Sequence, residues 1–165
     1  MIKGHGDDIY EYPHVSANFS SNVYGGLSHE GLKEFLMKKI DCIRNYPEPE
    51  AVSLERELAE RYQADAEGIC VTAGATEAIY LIAQAYRGSR SAILMPTFSE
   101  YADACRLQAH EIFPFYALDN IPAEVRMIWI CNPNNPTGEI REAARLRQLI
   151  ARNPQCLFIV DQSYE

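Results

Sequence analysis

The chain has 165 residues, of which 47% are hydrophobic and 23% are charged, a composition that suits a globular domain able to bury a core. Its formal net charge of −8 argues against nucleic acid or an anionic membrane as a general partner. No apolar run approaches the length of a membrane span, and the N-terminus lacks the apolar core of a signal peptide, so we expect a cytoplasmic protein.

The cysteines and histidines are scattered along the chain. None of the five cysteines lies in a CxxC pair, and we expect them to be small buried hydrophobic residues rather than metal ligands or disulfide partners. The four histidines show no metal-ligand spacing. Metal chemistry is therefore not expected.

The first part of the chain, residues 1–45, is interpreted as an irregular arm followed by a helix. The arm contains two distinctive segments, His5-Gly6-Asp7-Asp8-Ile9-Tyr10 and Asn18-Phe19-Ser20-Ser21-Asn22. Beyond the arm, apolar residues recur at helical spacing from Gly31 to Arg44, which predicts a surface helix.

A helix break follows at Tyr46-Pro47-Glu48-Pro49. Ser53 then precedes a second helical pattern over Leu54–Tyr62 and is its predicted N-cap. Because Arg56 replaces the glutamate of a complete capping box, only half of that motif is present.

Patterns typical of buried strands and of helices alternate from Gly68 to Asp161. This alternation predicts an α/β domain whose mostly parallel sheet is flanked by helices. Pro114 cannot donate a hydrogen bond to a strand ladder, so we expect its strand to lie at an edge or to bend. The predicted strands are Gly68–Thr72, Ser91–Met95, Glu111–Tyr116, Met127–Cys131 and Cys156–Val160, and the predicted helices are residues 73–86, 102–109 and 142–152.

A turn of small residues, Gly74, Ala75 and Thr76, connects the first predicted strand to a helix. Such a turn leaves backbone N–H groups free at the positive end of the helix dipole. It therefore suits a phosphate group, although many strand-to-helix turns use small residues only for packing.

An aromatic motif, Pro96-Thr97-Phe98-Ser99-Glu100-Tyr101, follows the next strand. A flat ring at this position can stack on a planar ligand. The alternative for either Phe98 or Tyr101 is a ring that packs in the core at the start of a helix.

Polar residues end the last two predicted strands. Asn132-Pro133-Asn134-Asn135-Pro136-Thr137-Gly138 turns the chain sharply after one strand, and Asp161-Gln162-Ser163-Tyr164 follows the other. Neighbouring parallel strands would thus deliver an amide and a carboxylate to one sheet edge, where open α/β sheets bind ligands.

NNPTG followed by D-x-x-Y resembles the class I/II aminotransferase family of pyridoxal-phosphate (PLP) enzymes, which have the aspartate-aminotransferase fold, fold type I. The resemblance implies that Asp161 holds the PLP ring nitrogen protonated and that Asn135 and Tyr164 donate to the phenolate oxygen. It also implies that the turn Gly74, Ala75 and Thr76 holds the phosphate and that Phe98 stacks on the ring, with Tyr101 as a weaker cofactor-binding candidate. Tyr46 is implied to reach the cofactor of the other subunit in a homodimer.

Within this family, the two arm segments resemble the L-threonine-O-3-phosphate decarboxylases, which are close to the histidinol-phosphate aminotransferases. The arm of those enzymes folds over the active site and helps to hold a phosphorylated substrate, which makes His5 and Asn22 substrate-binding candidates. The alternative for His5 is a solvated residue in a mobile terminus. One departure is Asn22-Val23, where that branch commonly has Asn-Pro.

In this family the lysine that binds PLP follows the Asp-x-x-Tyr segment. The lysines of this chain, Lys3, Lys33, Lys38 and Lys39, all precede the phosphate turn and do not match that position. We therefore expect the chain to be the N-terminal portion of a longer enzyme, with residues 46–165 forming part of its large PLP-binding domain.

The expected reaction of the complete enzyme is decarboxylation of L-threonine O-3-phosphate to (R)-1-aminopropan-2-yl phosphate, as in cobalamin biosynthesis. The expected substrate is therefore a small phosphorylated compound that resembles an amino acid. Two alternatives remain: an aminotransferase of the histidinol-phosphate type, and a truncated homologue that binds PLP or phosphate without catalysis.

Overall fold

The computed structural model describes Tyr10, residues 14–22 and residues 26–165. The chain forms two compact units, Met1–Val71 and Thr72–Glu165. None of the helices in the described ranges has the length and hydrophobicity that a membrane crossing requires. His5, a predicted substrate-binding residue, lies outside the described residues.

The described part of the first unit is helical. Helix α1 spans Glu30–Lys38, helix α2 spans Val52–Tyr62, and 3₁₀ turns span Ile40–Arg44 and Ala66–Gly68. The single helix predicted from Gly31 to Arg44 is therefore wrong in its second half, which continues as a 3₁₀ turn. Composition contributes to this, because four of the five residues of that segment, Ile-Asp-Cys-Ile, are weak α-helix formers.

The predicted N-cap of α2 is also corrected. The N-cap is Ala51, in the left-handed conformation, and Ser53 lies inside the helix. Glu48 provides the capping interaction instead, since its Oε2 accepts hydrogen bonds from the backbone N–H of Ser53 at 3.1 Å and from its hydroxyl at 2.5 Å. A carboxylate at a helix N-terminus also complements the helix dipole.

The strand predicted at Gly68–Thr72 is absent from the described residues. A strand needs a neighbouring strand to satisfy its backbone groups, and Val71 instead donates its N–H to the Glu55 carboxylate at 3.0 Å. The buried-cysteine prediction fails for Cys70 in this segment and for Cys42, which are both exposed, whereas Cys105 and Cys131 are buried.

The second unit contains a four-stranded sheet in which every pair of neighbouring strands is parallel. This confirms the predicted parallel α/β architecture, and the order β2-β1-β3-β4 places the strand with Pro114 at an edge, as predicted. The elements are α3 Ala75–Ala85, β1 Arg90–Leu94, α4 Glu100–Leu107, β2 Glu111–Phe115, β3 Met127–Cys131, α5 Ala143–Arg152 and β4 Leu157–Asp161.

Helices cover both faces of this sheet. Trp129 and its β3 neighbours at every second position pack with Ile79 of α3 and Tyr101 of α4. The intervening β3 residues, Ile128 and Ile130, pack on the opposite face with Leu146 and Leu149 of α5. Because side chains alternate across a strand, β3 must be apolar on both faces, which explains its continuous hydrophobic sequence.

Candidate active site

The strands β1 and β3 lie side by side at the centre of the sheet. The strand that follows β1 in the chain, β2, lies on one side of this pair, and the strand that follows β3, β4, lies on the other, so the strand order changes direction between β1 and β3. Open α/β sheets bind ligands at such a switch point. The loops that leave β1 and β3 carry the aromatic motif and the Asn-Pro-rich turn.

Two asparagines of that turn fold the loop rather than face a ligand. Asn132 binds the backbone of Arg141 twice: its Oδ1 accepts from the N–H at 2.6 Å and its Nδ2 donates to the carbonyl at 3.0 Å. Asn134 is buried and bonds to the loop that follows β1. The side chain of Asn135, in contrast, makes no hydrogen bond with the part of the chain that the structure describes.

A cavity of about 180 Å³ opens beside this turn, at the carboxyl edge of the sheet. It brings together seven of the predicted cofactor-binding residues, from α3, the loop after β1, α4, the turn after β3 and the end of β4. The lining residues are Ala75, Thr76, Phe98, Tyr101, Cys131, Asn135, Asp161, Ser163 and Tyr164.

The half-buried carboxylate of Asp161 is held by three hydrogen bonds. Its Oδ1 accepts from the backbone N–H of Ser163 at 2.9 Å and from the Ser163 hydroxyl at 2.6 Å. Its Oδ2 accepts from the hydroxyl of Tyr101 at 2.7 Å. Asp161 is the last residue of β4 and pairs with Cys131, the last residue of β3, so the two strands deliver it to the edge of the turn.

Three aromatic rings form one packed group beside Asp161. Tyr101 stacks on Trp129 with 5.7 Å between ring centroids, and Phe98 meets Tyr101 edge-on at 5.8 Å. Tyr101 is 1% exposed, whereas Phe98 is only half-buried and lines the cavity. Burial, together with the nearby Cys131 and the hydrogen bond to Asp161, raises the pKa of Tyr101 far above its usual range, so the hydroxyl keeps its proton.

The amino end of α3 is open toward a ligand. Gly74 is its N-cap, at φ 114°, and no side chain caps the first turn. Glu77, in that turn, accepts a hydrogen bond from the N–H of Ala73, before the helix. Ala75 and Thr76 are exposed and line the cavity, where their N–H groups and the helix dipole favour an anion.

Of the predicted site residues that the structure describes, three do not line this cavity. Gly74 directly precedes its lining residues as the N-cap. Tyr46 and Asn22 belong to the first unit, and both are exposed. The interface role of Tyr46 and the substrate-binding role of Asn22 stay predictions.

Sequence analysis missed two residues that line the cavity, Cys131 and Ser163. Asp-x-Ser is a known turn pattern, in which the aspartate side chain binds the backbone two residues on, so Ser163 was recognisable from the sequence. Cys131 gave no such signal, because a cysteine that ends a buried strand looks like any small core residue.

A larger groove, of about 550 Å³, lies on the same unit near Tyr116, Arg141 and Arg145. Arg141 is paired with Glu139 and Arg145 with Asp119, each at 2.7 Å. Both arginines of the groove are thus paired with carboxylates of the chain, and we take the smaller cavity as the candidate site.

The model of the aminotransferase class I and II family matches residues 16–165. The chain belongs to this family. Members are PLP-dependent, and the parallel sheet flanked by helices is their fold, PLP fold type I.

Among the similar proteins are threonine-phosphate decarboxylases and histidinol-phosphate aminotransferases. A solved L-threonine-O-3-phosphate decarboxylase from Porphyromonas gingivalis is 39% identical, with a TM-score of 0.83, over 87% of this chain and 46% of its own. A histidinol-phosphate aminotransferase from Macrococcus caseolyticus is 33% identical over 75% of this chain and 39% of its own length. A threonine-phosphate decarboxylase from Salmonella typhimurium is 28% identical over 85% of this chain and 42% of its own. The chain thus spans less than half the length of these relatives.

The observed side chains fit PLP. An uncapped helix N-terminus suits the phosphate, and the half-exposed ring of Phe98 suits one face of the pyridine. Asp161 has acceptor capacity beyond its three hydrogen bonds, as a protonated ring nitrogen requires.

Proposed function

We propose that the complete protein is a PLP-dependent carboxy-lyase that converts L-threonine O-3-phosphate to (R)-1-aminopropan-2-yl phosphate. The observation that carries this proposal is the 39% identity and TM-score of 0.83 to a solved L-threonine-O-3-phosphate decarboxylase. The His5-Gly6-Asp7-Asp8 opening supports the same choice.

Each cavity residue has a defined role in this proposal. The Asp161 carboxylate accepts a hydrogen bond from the protonated ring nitrogen, and Asn135 and Tyr164 donate to the phenolate oxygen. Phe98 covers one face of the ring and excludes water from it. The N–H groups of Ala75 and Thr76 bind the phosphate.

PLP, when bound, withdraws electrons from the bonds at the α-carbon of an amino-acid substrate. The protein decides which of those bonds is aligned for cleavage by the way it orients the substrate. We assign part of this orientation to His5 and Asn22 of the arm, which would hold the substrate phosphate. The carboxylate is then the group placed for departure.

The alternative reaction is amino transfer from histidinol phosphate to a 2-oxo acid. It is favoured by the names of several relatives, including the Macrococcus caseolyticus enzyme at 33% identity. Both reactions use the same cofactor site, so the cavity residues serve either one. The difference lies in how the substrate is held.

A turnover assay on the full-length, PLP-loaded protein separates the two reactions. We expect CO2 release from L-threonine O-3-phosphate and no amino transfer from histidinol phosphate. Asp161→Ala is the control that should abolish either activity. Amino transfer without CO2 release would contradict the decarboxylase assignment, and neither activity in a protein that binds PLP would contradict both.

We also propose that the protein works as a homodimer in which Tyr46 reaches the cofactor phosphate of the other subunit. The support is the exposure of the Tyr46 side chain, which is 99% in the single chain. Sedimentation of the full-length protein should give a dimer. Tyr46→Phe should weaken PLP binding without dissociating that dimer, and a monomer that binds PLP normally would contradict the proposal.

A further inference from the structure

The hydroxyl of Tyr101 binds the carboxylate of Asp161 from inside the protein. Its oxygen lies 2.7 Å from Oδ2 of Asp161, and the tyrosine is 1% exposed. The ring is fixed by stacking on Trp129 with an interplanar angle of 23°. Because the ring is buried and packed, its hydroxyl has a fixed position from which to direct the carboxylate.

Hydrogen bonds from the chain leave Asp161 little acceptor capacity. A carboxylate offers about four acceptor sites on its two oxygens. Ser163 occupies two of them on Oδ1, and Tyr101 occupies one on Oδ2. One site on Oδ2 therefore remains for a donor in the cavity that Asp161 lines.

Asp161 is the acceptor in each of these three hydrogen bonds. The Tyr101 hydroxyl remains a donor, because burial raises its pKa far above the usual range, and the nearby Cys131 and the hydrogen bond to Asp161 raise it further. An ionised Asp161 is acceptor-only, so a partner at its remaining site must carry the proton.

Tyr101 contacts the second cofactor-facing residue as well. Phe98 meets its ring edge-on, at 83° between the planes. One buried side chain thus touches both the carboxylate and the cavity-lining ring. The relative position of Asp161 and Phe98 depends on Tyr101.

We propose that Tyr101 is a positioning residue for the ring-nitrogen site: its hydroxyl fixes the rotation of the Asp161 carboxylate, and its ring fixes the position of Phe98. This inference rests on the proposed role of Asp161 toward PLP. It replaces direct cofactor contact as the main role of Tyr101.

The test uses the full-length protein loaded with PLP labelled with ¹⁵N at the ring nitrogen. Tyr101→Phe retains the ring and removes only the hydroxyl. We expect the Kd for PLP to rise about three- to tenfold, less than for a hydrogen bond made to PLP itself, because the lost bond acts on PLP only through Asp161. The ¹⁵N chemical shift should move toward that of unprotonated pyridine, because a carboxylate that is no longer held in place makes a poorer hydrogen bond to the protonated ring nitrogen.

The chain offers a matched control in Tyr80. Its hydroxyl donates to the Glu100 carboxylate at 2.8 Å, a bond of the same type in the same unit, and neither residue lines the cavity. Tyr80→Phe should lower the melting temperature about as much as Tyr101→Phe does. It should leave the Kd for PLP and the ¹⁵N shift unchanged.

A second variant, Ser163→Ala, keeps the test valid if Tyr101→Phe does not fold. It removes one donor to Oδ1 but retains the backbone N–H, so its ¹⁵N shift should change in the same direction by a smaller amount. Unchanged shifts in Tyr101→Phe and Ser163→Ala, or equal shifts in Tyr101→Phe and Tyr80→Phe, would overturn the proposal. A wild-type protein that fails to bind PLP would overturn the proposed cofactor site itself, and this outcome is visible without any variant.

Discussion

The side-chain amide of Asn134 donates a hydrogen bond to the backbone carbonyl of Pro96 at 3.0 Å, which joins the turn after β3 to the loop after β1. Its Oδ1 accepts from the Thr97 hydroxyl at 3.1 Å and its Nδ2 also donates to the Thr137 hydroxyl at 2.8 Å. Asn135, the next residue, lines the cavity instead. The two neighbouring asparagines therefore divide folding and binding between them.

The different contacts of Asn134 and Asn135 predict different effects for two alanine variants, one on stability and the other on PLP binding. Asn134→Ala leaves buried polar groups without partners and should lower the free energy of unfolding by about 1–3 kcal/mol. Asn135→Ala should change it by less than about 0.5 kcal/mol, because the amide makes no hydrogen bond in the described chain, but should weaken PLP binding. Urea unfolding and PLP titration of both variants check this, and a stability loss confined to Asn135→Ala would refute it.

Phe98 is expected to contribute a stacking contact to the cofactor ring. Phe98→Leu retains a hydrophobic side chain but loses the aromatic face, so PLP affinity should fall about three- to tenfold. Phe113→Leu is the matched control, since Phe113 is also half-buried but lies on β2 and does not line the cavity. Equal losses of PLP affinity in both variants would show that the effect is one of general packing.

Gly74 is expected to be required by its backbone conformation. At φ 114° and ψ 168° it occupies a region that only glycine adopts readily, although a Cβ there would meet no atom within 4 Å. Gly74→Ala should lower the free energy of unfolding by about 1–3 kcal/mol. Gly31→Ala, at an equally open site in α1, should raise it by about 0.5–1 kcal/mol. Thermal unfolding of both variants tests the opposite signs, and a neutral Gly74→Ala would contradict the conformational argument.

Because of Cys105, we expect the free energy of unfolding to depend on pH in the alkaline range. Burial raises the pKa of its thiol from 9.0 to about 11, which favours the neutral form in the folded state. Its stabilising effect is complete below pH 9 and is lost as the pH rises toward 11, because the unfolded thiol ionises first. Between pH 8 and 10 the wild type should lose about 1 kcal/mol through this group.

The measurement is the free energy of unfolding at pH 8 and at pH 10. Cys105→Ala should lose about 1 kcal/mol less than the wild type over this interval. Cys42→Ala, which removes an exposed cysteine, should follow the wild type. A Cys105→Ala profile identical to that of the wild type would exclude Cys105 as the cause.

Much of the sheet could be predicted because its signals are local. The continuous apolar run of β3 and the edge position of the strand with Pro114 both follow from which groups a strand buries or pairs. The strand predicted at Gly68–Thr72 fails for the opposite reason. The hydrophobic pattern of a segment indicates whether it is buried, but a β-strand also needs a neighbouring strand to hydrogen-bond with. In this segment the Val71 N–H donates to the Glu55 carboxylate instead.

The residues of the candidate site could be predicted from the sequence, but the hydrogen bonds among them could not. The NNPTG and D-x-x-Y motifs, the small-residue turn and the aromatic motif together identified seven of the nine residues that line the cavity. The family resemblance selected Asn135 for the cofactor, but no motif showed that Asn134 joins two loops or that Tyr101 binds Asp161. Those contacts depend on side-chain directions across residues far apart in sequence, such as the 60 positions between Tyr101 and Asp161.

The central claim is that the cavity between Phe98 and Asp161 holds the PLP ring. The most direct test is a crystal structure of the full-length protein with PLP bound. We expect the ring against Phe98, its nitrogen within hydrogen-bond distance of Oδ2 of Asp161, and its phosphate at the N-terminus of α3. A structure with PLP bound elsewhere, or with Asp161 facing away from the ring nitrogen, would contradict the account.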